Sequence, residues 1–232
     1  MDNLALGLNP APTPLRPLLG LTILVVEDSR YACEALRLMC LRSGARIRRA
    51  DCLASARRHL GVYLPCVILI DLGLPDGSGT DLIAQLAALP NPPVILATSA
   101  DDFAEPVAIA AGAHGFLPKP HDSLSDFQEC ILGHLPVERQ PGGPRLINQE
   151  RIEADQISYR DDLALAAELL RRDPSPESLS CAAAFISGIA RQAHDDTLAM
   201  AAARLRGSSP SAPEVEQTAC LLIDRIVETP VM

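Results

Sequence analysis

Between residues 21 and 134 the chain alternates short apolar runs with segments of helical periodicity, and this alternation limits the possible folds more than any other feature. Continuous runs such as LTILVV and CVILI are expected for parallel strands that are buried on both faces. Five strands alternating with helices predict an α/β fold with a doubly wound parallel sheet. The candidate strands are 21–26, 46–50, 66–70, 93–98 and 114–117. The candidate helices are 29–42, with Ser29 as cap, 53–60, 80–88, 103–111 and 123–134.

The rest of the chain divides into a tail, a linker and a helical unit. Residues 1–20 contain four prolines and are predicted to be a flexible tail. Residues 135–147 contain three prolines and two glycines, which is typical of a linker. Residues 148–232 are predicted to form a small all-α domain. Its candidate helices are 148–172, 175–206, with a break near Gly188 or at 194–196, and 213–228.

Charge and composition exclude several classes of protein. The formal net charge of −9, from 29 acidic and 20 basic residues, argues against a general nucleic-acid-binding protein. No apolar run approaches the roughly 20 residues of a membrane span. The seven cysteines form no CxxC pair and predict reduced, mostly buried thiols in a cytoplasmic protein.

Polar side chains follow the predicted strands at the points where the strands end. Glu27 and Asp28 follow the first strand, Asp71 the third, and Lys119 the fifth, while Thr98 ends the fourth. The carboxyl ends of parallel strands lie on one edge of the sheet, where ligands bind in this class of fold. Three carboxylates gathered there repel one another unless a cation joins them, and oxygen ligands suit Mg²⁺.

Lysine is rare in this chain, because 19 of the 20 basic residues are arginine and Lys119 is the single lysine. A carboxylate beside Mg²⁺ can attack a phosphoryl group, and an ammonium can neutralise the phosphoryl oxygens. Lysine serves phosphate as a compact point charge, whereas arginine presents a broad fork. This chemistry gives a reason for a lysine at position 119.

Four motifs carry a resemblance to a known family. They are VVEDS at 25–29, LIDLGLPDGSG at 69–79, PVILATS at 93–99 and GFLPKP at 115–120. In order and spacing they resemble the receiver domain of two-component response regulators, which has the chemotaxis-type, flavodoxin-like fold. The resemblance covers about residues 21–134, roughly half of the chain.

The resemblance implies a role for each matching position. Asp71 is expected to accept the phosphoryl group from a sensor histidine kinase or a phosphotransfer protein. Asp28 is expected to bind Mg²⁺ directly, Glu27 through water, and Gly73 through its backbone carbonyl. Such a protein is a phosphoacceptor in signalling rather than an enzyme, since its only chemistry is its own phosphorylation and dephosphorylation.

The resemblance also implies a switch. Thr98 and Lys119 are expected to contact the phosphoryl group, and Phe116 occupies the aromatic switch position. Two residues depart from the usual pattern: Phe116 lacks the hydroxyl of the more frequent tyrosine, and Ser99 replaces a small apolar residue.

The helical unit leaves three alternatives for the output. Residues 141–232 carry nine arginines, no lysine and fourteen acids, a balance that argues against DNA or RNA binding. We expect an interaction module for a protein partner or a second copy, with small-residue helix faces at 182–193 and 198–204. The alternatives are a phosphotransfer-like domain using His194 and a phosphate-sink receiver. The remaining histidines are expected on the surface or in loops: His59, His114, His121 and His134.

Overall fold

A computed structural model of the protein describes residues 10–143, 147, 149–173, 175–206 and 210–229. Its first part is a five-stranded parallel sheet flanked by helices, which confirms the predicted fold class. Each strand lies within one residue of its predicted position. The strands are β1 (Thr22–Val26), β2 (Arg46–Ala50), β3 (Val67–Asp71), β6 (Val94–Ser99) and β7 (Gly115–Pro118).

The strand order is β2-β1-β3-β6-β7, so the chain reverses its direction of travel across the sheet between β1 and β3. The carboxyl ends of all five strands lie on one edge, and the crevice at such a reversal is where ligands bind in open α/β sheets. Asp71 pairs in register with Thr98, which places the ends of β3 and β6 side by side.

Helices cover both faces of the sheet. One face packs a core around Leu36 and Phe127, and the other packs a core around Ile70 and Ile83. The predicted cap of the first helix is confirmed, since the Ser29 hydroxyl accepts a hydrogen bond from the Ala32 backbone N–H. The helices are α1 (Arg30–Ser43), α2 (Leu53–Leu60), α3 (Gly79–Ala87), α4 (Glu105–Ala110) and α5 (Leu124–Leu132).

A small hairpin lies in the predicted loop after β3. Strands β4 (Gly73–Leu74) and β5 (Gly77–Ser78) pair antiparallel and return the chain to α3 beside the end of β3. A Cβ atom at Gly79 would overlap the Asp71 carbonyl oxygen, so only glycine permits this close passage. The hairpin therefore keeps the loop close to the end of β3.

The C-terminal part is helical, with its own core around Leu163, Ile186 and Leu222. The helices are α6 (Gln156–Arg172), α7 (Pro176–Gln192), α8 (Asp196–Leu205) and α9 (Ala212–Glu228). The predicted break in the long middle segment is confirmed at 193–195, where His194 has a φ of 56°. Asp195 then caps α8 by accepting a hydrogen bond from the Leu198 backbone N–H at 2.9 Å.

The predicted start of the first C-terminal helix at residue 148 is wrong. Residue 148 lies outside the described residues, and α6 begins at Gln156, where Asp155 caps it. The preceding segment pairs with the first part of the chain instead: Ile152 N–H donates to the Asp122 carbonyl at 2.7 Å. These tertiary hydrogen bonds replace the helical ones.

The end of the segment predicted to be a flexible tail packs against the fold. Residues 1–9 lie outside the described residues, but Leu18 is fully buried in the core beside α1. Its backbone N–H donates to the Ser43 carbonyl at 2.9 Å. Burial of leucine therefore outweighs the effect of the neighbouring prolines. Within the described part of the chain, the structure contains no helix that is both long and apolar enough to cross a membrane.

We expect Asp195→Ala to destabilise the protein by about 1–3 kcal/mol. The change removes the cap of α8 and the ion pair with Arg225, whose Nε lies 2.6 Å from Asp195 Oδ2. Urea unfolding followed by circular dichroism measures the loss.

Acid should remove the same contribution. Burial raises the pKa of Asp195, but the hydrogen bonds from Arg225 and the Leu198 N–H outweigh it and leave that pKa lowered. A lowered carboxyl pKa gives stability that is present above the unfolded value and is lost as the pH falls through the folded value. Asp224→Ala, an exposed change on α9, is the control and should lie within about 0.5 kcal/mol of the wild type. Equal stabilities of the two variants at pH 7 would contradict the assignment.

Candidate functional site

The sheet edge brings together the polar residues that the sequence predicts. Glu27 and Asp28 directly follow β1, Asp71 is the last residue of β3, and Lys119 directly follows β7. One ligand atom from each of the three carboxylates can be chosen so that all three lie within 4.8 Å of one another. The predicted convergence is therefore present in the fold.

The Lys119 ammonium lies between two of these carboxylates. Its Nζ is 2.7 Å from Asp71 Oδ2 and 2.8 Å from Glu27 Oε2. All three residues are buried, with at most 6% of each exposed. Removing charges from water is costly, so this arrangement holds only because each charge has a partner at hydrogen-bond distance.

The remaining carboxylate oxygens are held by backbone donors. Asp71 Oδ1 accepts a hydrogen bond from the Gly73 N–H at 3.0 Å, and Glu27 Oε1 accepts one from the Ser29 N–H at 3.1 Å. The hairpin and the start of α1 thus fix the orientation of both carboxylates.

The surroundings keep Asp71 ionised. Burial raises the pKa of the Asp71 carboxyl, but the charge and hydrogen bond of Lys119 outweigh it, and the net pKa is lowered. Burial likewise lowers the pKa of Lys119, but Asp71 and Glu27 outweigh it and raise that pKa. Asp71 is therefore a carboxylate at neutral pH, the form that can act as a nucleophile.

The carboxylate cluster has the chemistry of a cation site. Burial, followed by the negative charge of Asp71, raises the pKa of Asp28 to about 7, and burial raises the pKa of Glu27 well above its ordinary value. When the three carboxylates are ionised, their charge exceeds that of the one ammonium by two. Hard oxygen ligands with this excess fit a divalent cation such as Mg²⁺.

Thr98 contacts a buried histidine in the loop after β7. The Thr98 hydroxyl lies 3.2 Å from His121 Nε2, and both residues are buried. Burial, followed by the charge of Lys119, lowers the pKa of His121 to about 3, so its ring is neutral. His121 lies in the loop between β7 and α5, as expected, but it is buried rather than on the surface. The sequence signal for placing His121 near the site is its position two residues after Lys119, because this segment follows a strand that ends at the same edge.

The two departures from the motif pattern lie near this edge. Phe116 is half-buried and packs against the core on the α2–α4 side of the sheet. The Ser99 hydroxyl accepts a hydrogen bond from the Asp101 N–H at 3.1 Å, which fixes the start of the following loop.

Helix α7 and the end of α8 cover the site, which the sequence analysis did not predict. The space beside Asp71 is a cavity of about 20 Å³, lined from the helical part by Ala184, Phe185, Gly188 and Arg206. A Cβ atom at Gly188 would lie 3.3 Å from Lys119 Nζ. The small residues at 182–193 were expected to pack helices together, and two of them instead lie over the carboxylate cluster.

His194 lies apart from this cavity. It is 58% exposed at the junction of α7 and α8, with Nε2 3.3 Å from Asp122 Oδ2. It is not among the residues that line the space beside Asp71. The structure therefore does not bring His194 and Asp71 together.

Comparison with known proteins identifies the first part of the chain. The family model for the response regulator receiver domain matches residues 23–129. The chain is 34% identical over 143 residues to the transcriptional regulatory protein KdpE of Mycobacterium tuberculosis, covering 61% of each protein. It is 30% identical over 100 residues to the virulence transcriptional regulatory protein PhoP of Salmonella typhimurium, covering 42% of this chain and 45% of PhoP.

The match spans about three fifths or less of the length of these relatives. Among solved structures, a Burkholderia pseudomallei response regulator with a phosphorylated aspartic acid, a calcium ion and citrate is 26% identical, with a TM-score of 0.44. That alignment covers 48% of this chain and 66% of the other. The family model carries this comparison: residues 23–129, somewhat less than half of the chain, match the response regulator receiver domain.

Proposed function

We propose that this protein is a response regulator in which Asp71 accepts a phosphoryl group from a sensor histidine kinase or a phosphotransfer protein. The supporting observation is the buried contact of 2.7 Å between Asp71 and Lys119, beside the carboxylates of Glu27 and Asp28. It joins an ionised nucleophile to a fixed cation and to a set of ligands for a divalent metal. The protein acts as a phosphoacceptor, and its own chemistry is limited to gaining and losing this group.

In the proposed reaction an Asp71 carboxylate oxygen attacks the phosphorus atom of a phosphohistidine. A P–O bond to Asp71 forms as the P–N bond breaks, and the electron pair of that bond stays with the histidine nitrogen. Lys119 keeps its charge beside the reacting carboxylate, and Thr98 can donate its hydroxyl once it leaves His121.

Asp28, Asp71 and the Gly73 carbonyl would hold Mg²⁺, with Glu27 acting mainly through water. The ion neutralises charge on the phosphoryl oxygens when it is bound. Lys119 pairs with both Glu27 and Asp71. Among the described ion pairs, Asp28 is the one carboxylate of the cluster that has no contact with the ammonium.

The helical unit is proposed to be an output that binds protein rather than nucleic acid, with the boundary between the two units in residues 135–147. The net charge of −5 over residues 141–232, without a single lysine, supports this proposal. The relatives are named transcriptional regulatory proteins, and the aligned part covers at most 61% of their length. Because so much of these relatives lies outside the aligned part, their output is not carried over to this chain. The proposed output is binding to a partner protein or to a second copy of the chain.

A phosphotransfer role for His194 has no support from its position, because its imidazole pairs with Asp122. A phosphate-sink role needs no output site and predicts that phosphorylated Asp71 hydrolyses rapidly. The half-life of the phosphorylated protein, measured with labelled acetyl phosphate, separates the sink from the switch: a half-life of many hours excludes the sink.

Asp71→Asn should abolish phosphoryl uptake, because an amide oxygen is a far weaker nucleophile than a carboxylate. The measurement is incorporation of label from acetyl phosphate in the presence of Mg²⁺. Asp76→Asn, in the same loop, is the matched control: Asp76 caps α2 by accepting hydrogen bonds from Leu53 N–H and Ala54 N–H, and its loss should leave uptake detectable. Full uptake by Asp71→Asn would contradict the proposed function.

Asp28→Asn should weaken the binding of Mg²⁺ without removing the nucleophile. The concentration of Mg²⁺ giving half-maximal uptake should rise at least about ten-fold, the size of effect that even supporting groups of metal ligands produce. Asp51→Asn is the control, because Asp51 directly follows β2 on the same sheet edge but lies outside the carboxylate cluster. An unchanged Mg²⁺ requirement in Asp28→Asn would remove Asp28 from the proposed ligands.

A further inference from the structure

One face of the helical unit lies directly on the edge of the sheet that carries Asp71. We call this the docking face, and it consists of Asp162, Ala184, Phe185, Gly188, Arg191 and Gln192 of α6 and α7. Its contacts are with the residues that surround the proposed phosphoacceptor rather than with a distant part of the sheet.

Small residues let the backbone of α7 approach the site. The Ala184 Cβ lies 3.8 Å from the position of a Cβ at Gly73, the residue whose N–H holds Asp71. At Gly188, an added Cβ atom would lie only 3.3 Å from Lys119 Nζ. Any larger side chain at position 188 would meet the buried ammonium.

A buried carboxylate of α6 binds the start of α1. Asp162 is 1% exposed and accepts hydrogen bonds from the Ser29 hydroxyl at 2.7 Å, the Arg30 N–H at 3.1 Å and the Tyr31 N–H at 2.9 Å. An anion at a helix N-terminus is stabilised by the free N–H groups and by the helix dipole. This contact is specific, because the buried carboxylate loses its donors when the units separate.

A second specific contact joins the end of α7 to the loop after β7. The Gln192 side chain accepts from the His121 N–H at 2.9 Å and donates to the His121 carbonyl at 3.1 Å. Beside it, Arg191 pairs with Asp102 in the loop after β6. The docking face thus contacts four segments that follow strands of the site edge: the start of α1, the hairpin after β3, and the loops after β6 and β7.

The space left beside Asp71 is too small for its proposed reaction. A cavity of about 20 Å³ holds about one water molecule, whereas a phosphoryl group adds a phosphorus atom and three oxygens. A phosphohistidine on a donor protein needs more room still. In the docked arrangement the space beside Asp71 is therefore too small to admit the phosphoryl group of a donor histidine.

We propose that the docking face is a binding surface for the phosphoacceptor edge of a receiver domain, here the chain's own. It covers Asp71 in the unphosphorylated protein, so docking and phosphorylation of Asp71 exclude each other. This inference rests on the proposed function of Asp71, and it adds that the donor protein and the helical unit compete for the same surface.

A continuous set of contacts couples the two events. Thr98, next to Asp71 across β3 and β6, contacts the side chain of His121, and the backbone of His121 is held by Gln192. When Thr98 turns to a phosphoryl group on Asp71, the His121 ring loses its partner inside a buried space. His121 is thus a positioning residue between the site and α7.

The first test compares two neighbouring carboxylates of α6. Asp162→Ala removes the buried contact with α1 and should raise the rate of labelling by acetyl phosphate at least about ten-fold, since hydrogen bonds to a charged group are strong. Asp161→Ala removes only the exposed ion pair with Arg30 and should leave the rate within about two-fold. Equal rates for wild type and Asp162→Ala would overturn the proposal that docking limits phosphorylation.

The second test needs no phosphoryl transfer. The Cβ separation of 3.8 Å at positions 73 and 184 suits a disulfide, so Gly73→Cys with Ala184→Cys should cross-link when oxidised with diamide. The exposed Cys181 and Cys220 are changed to serine in the background protein. Mg²⁺ and beryllofluoride added first should slow cross-linking at least ten-fold. Failure to cross-link would overturn the docking face. Cross-linking that beryllofluoride does not slow would overturn the mutual exclusion of docking and phosphorylation.

The cross-linked protein gives the third comparison, with its own reduced form as control. Labelling by acetyl phosphate should fall at least ten-fold on oxidation and recover on reduction, and equal labelling of both forms would overturn the proposal. If neither wild type nor Asp162→Ala is labelled at all, the proposed function of Asp71 fails. In that case the cross-linking yield alone still decides whether α7 docks on the site.

Discussion

The contact on which the rest of the structure depends is the Lys119 ammonium held between Asp71 and Glu27. Removing one partner from a buried pair leaves an uncompensated charge, which is far more costly than losing an exposed pair. The three groups come from the ends of three different strands. Strand order, the register between β3 and β6, and the hairpin after β3 are therefore all needed to place these charges at hydrogen-bond distance.

The strands could be predicted because their signal is local: continuous apolar runs are buried on both faces of a parallel sheet, and each lies within one residue of its predicted place. The failures arise where tertiary contacts decide. Residues 150–152 pair with the segment at the start of α5 instead of joining α6, and Leu18 is buried against α1. Neither contact leaves a periodic pattern in the sequence.

The same division applies to the site. The convergence of the three acids and Lys119 follows from parallel topology, because carboxyl ends of parallel strands share one edge. The position of α7 does not follow, since small residues such as Ala184 and Gly188 suit packing within the helical unit equally well. Asp162 was one acid among fourteen in an acidic unit, and only its place beside the α1 N-terminus distinguishes it.

Electrostatics gives the docked arrangement a reason to open that is independent of space. A phosphoryl group on an aspartate adds negative charge at a site where Lys119 is already shared by two carboxylates. Helix α7 offers this charge only alanine, phenylalanine and glycine, and Arg206 at the end of α8 is the one cation that the helical unit contributes to the cavity lining. Covering the phosphoryl group with α7 would remove water from it without equivalent donors, which costs free energy. Phosphorylation of Asp71 therefore disfavours the docking of α7 over the site. The docked and the phosphorylated states differ in the solvation of the site as well as in its shape.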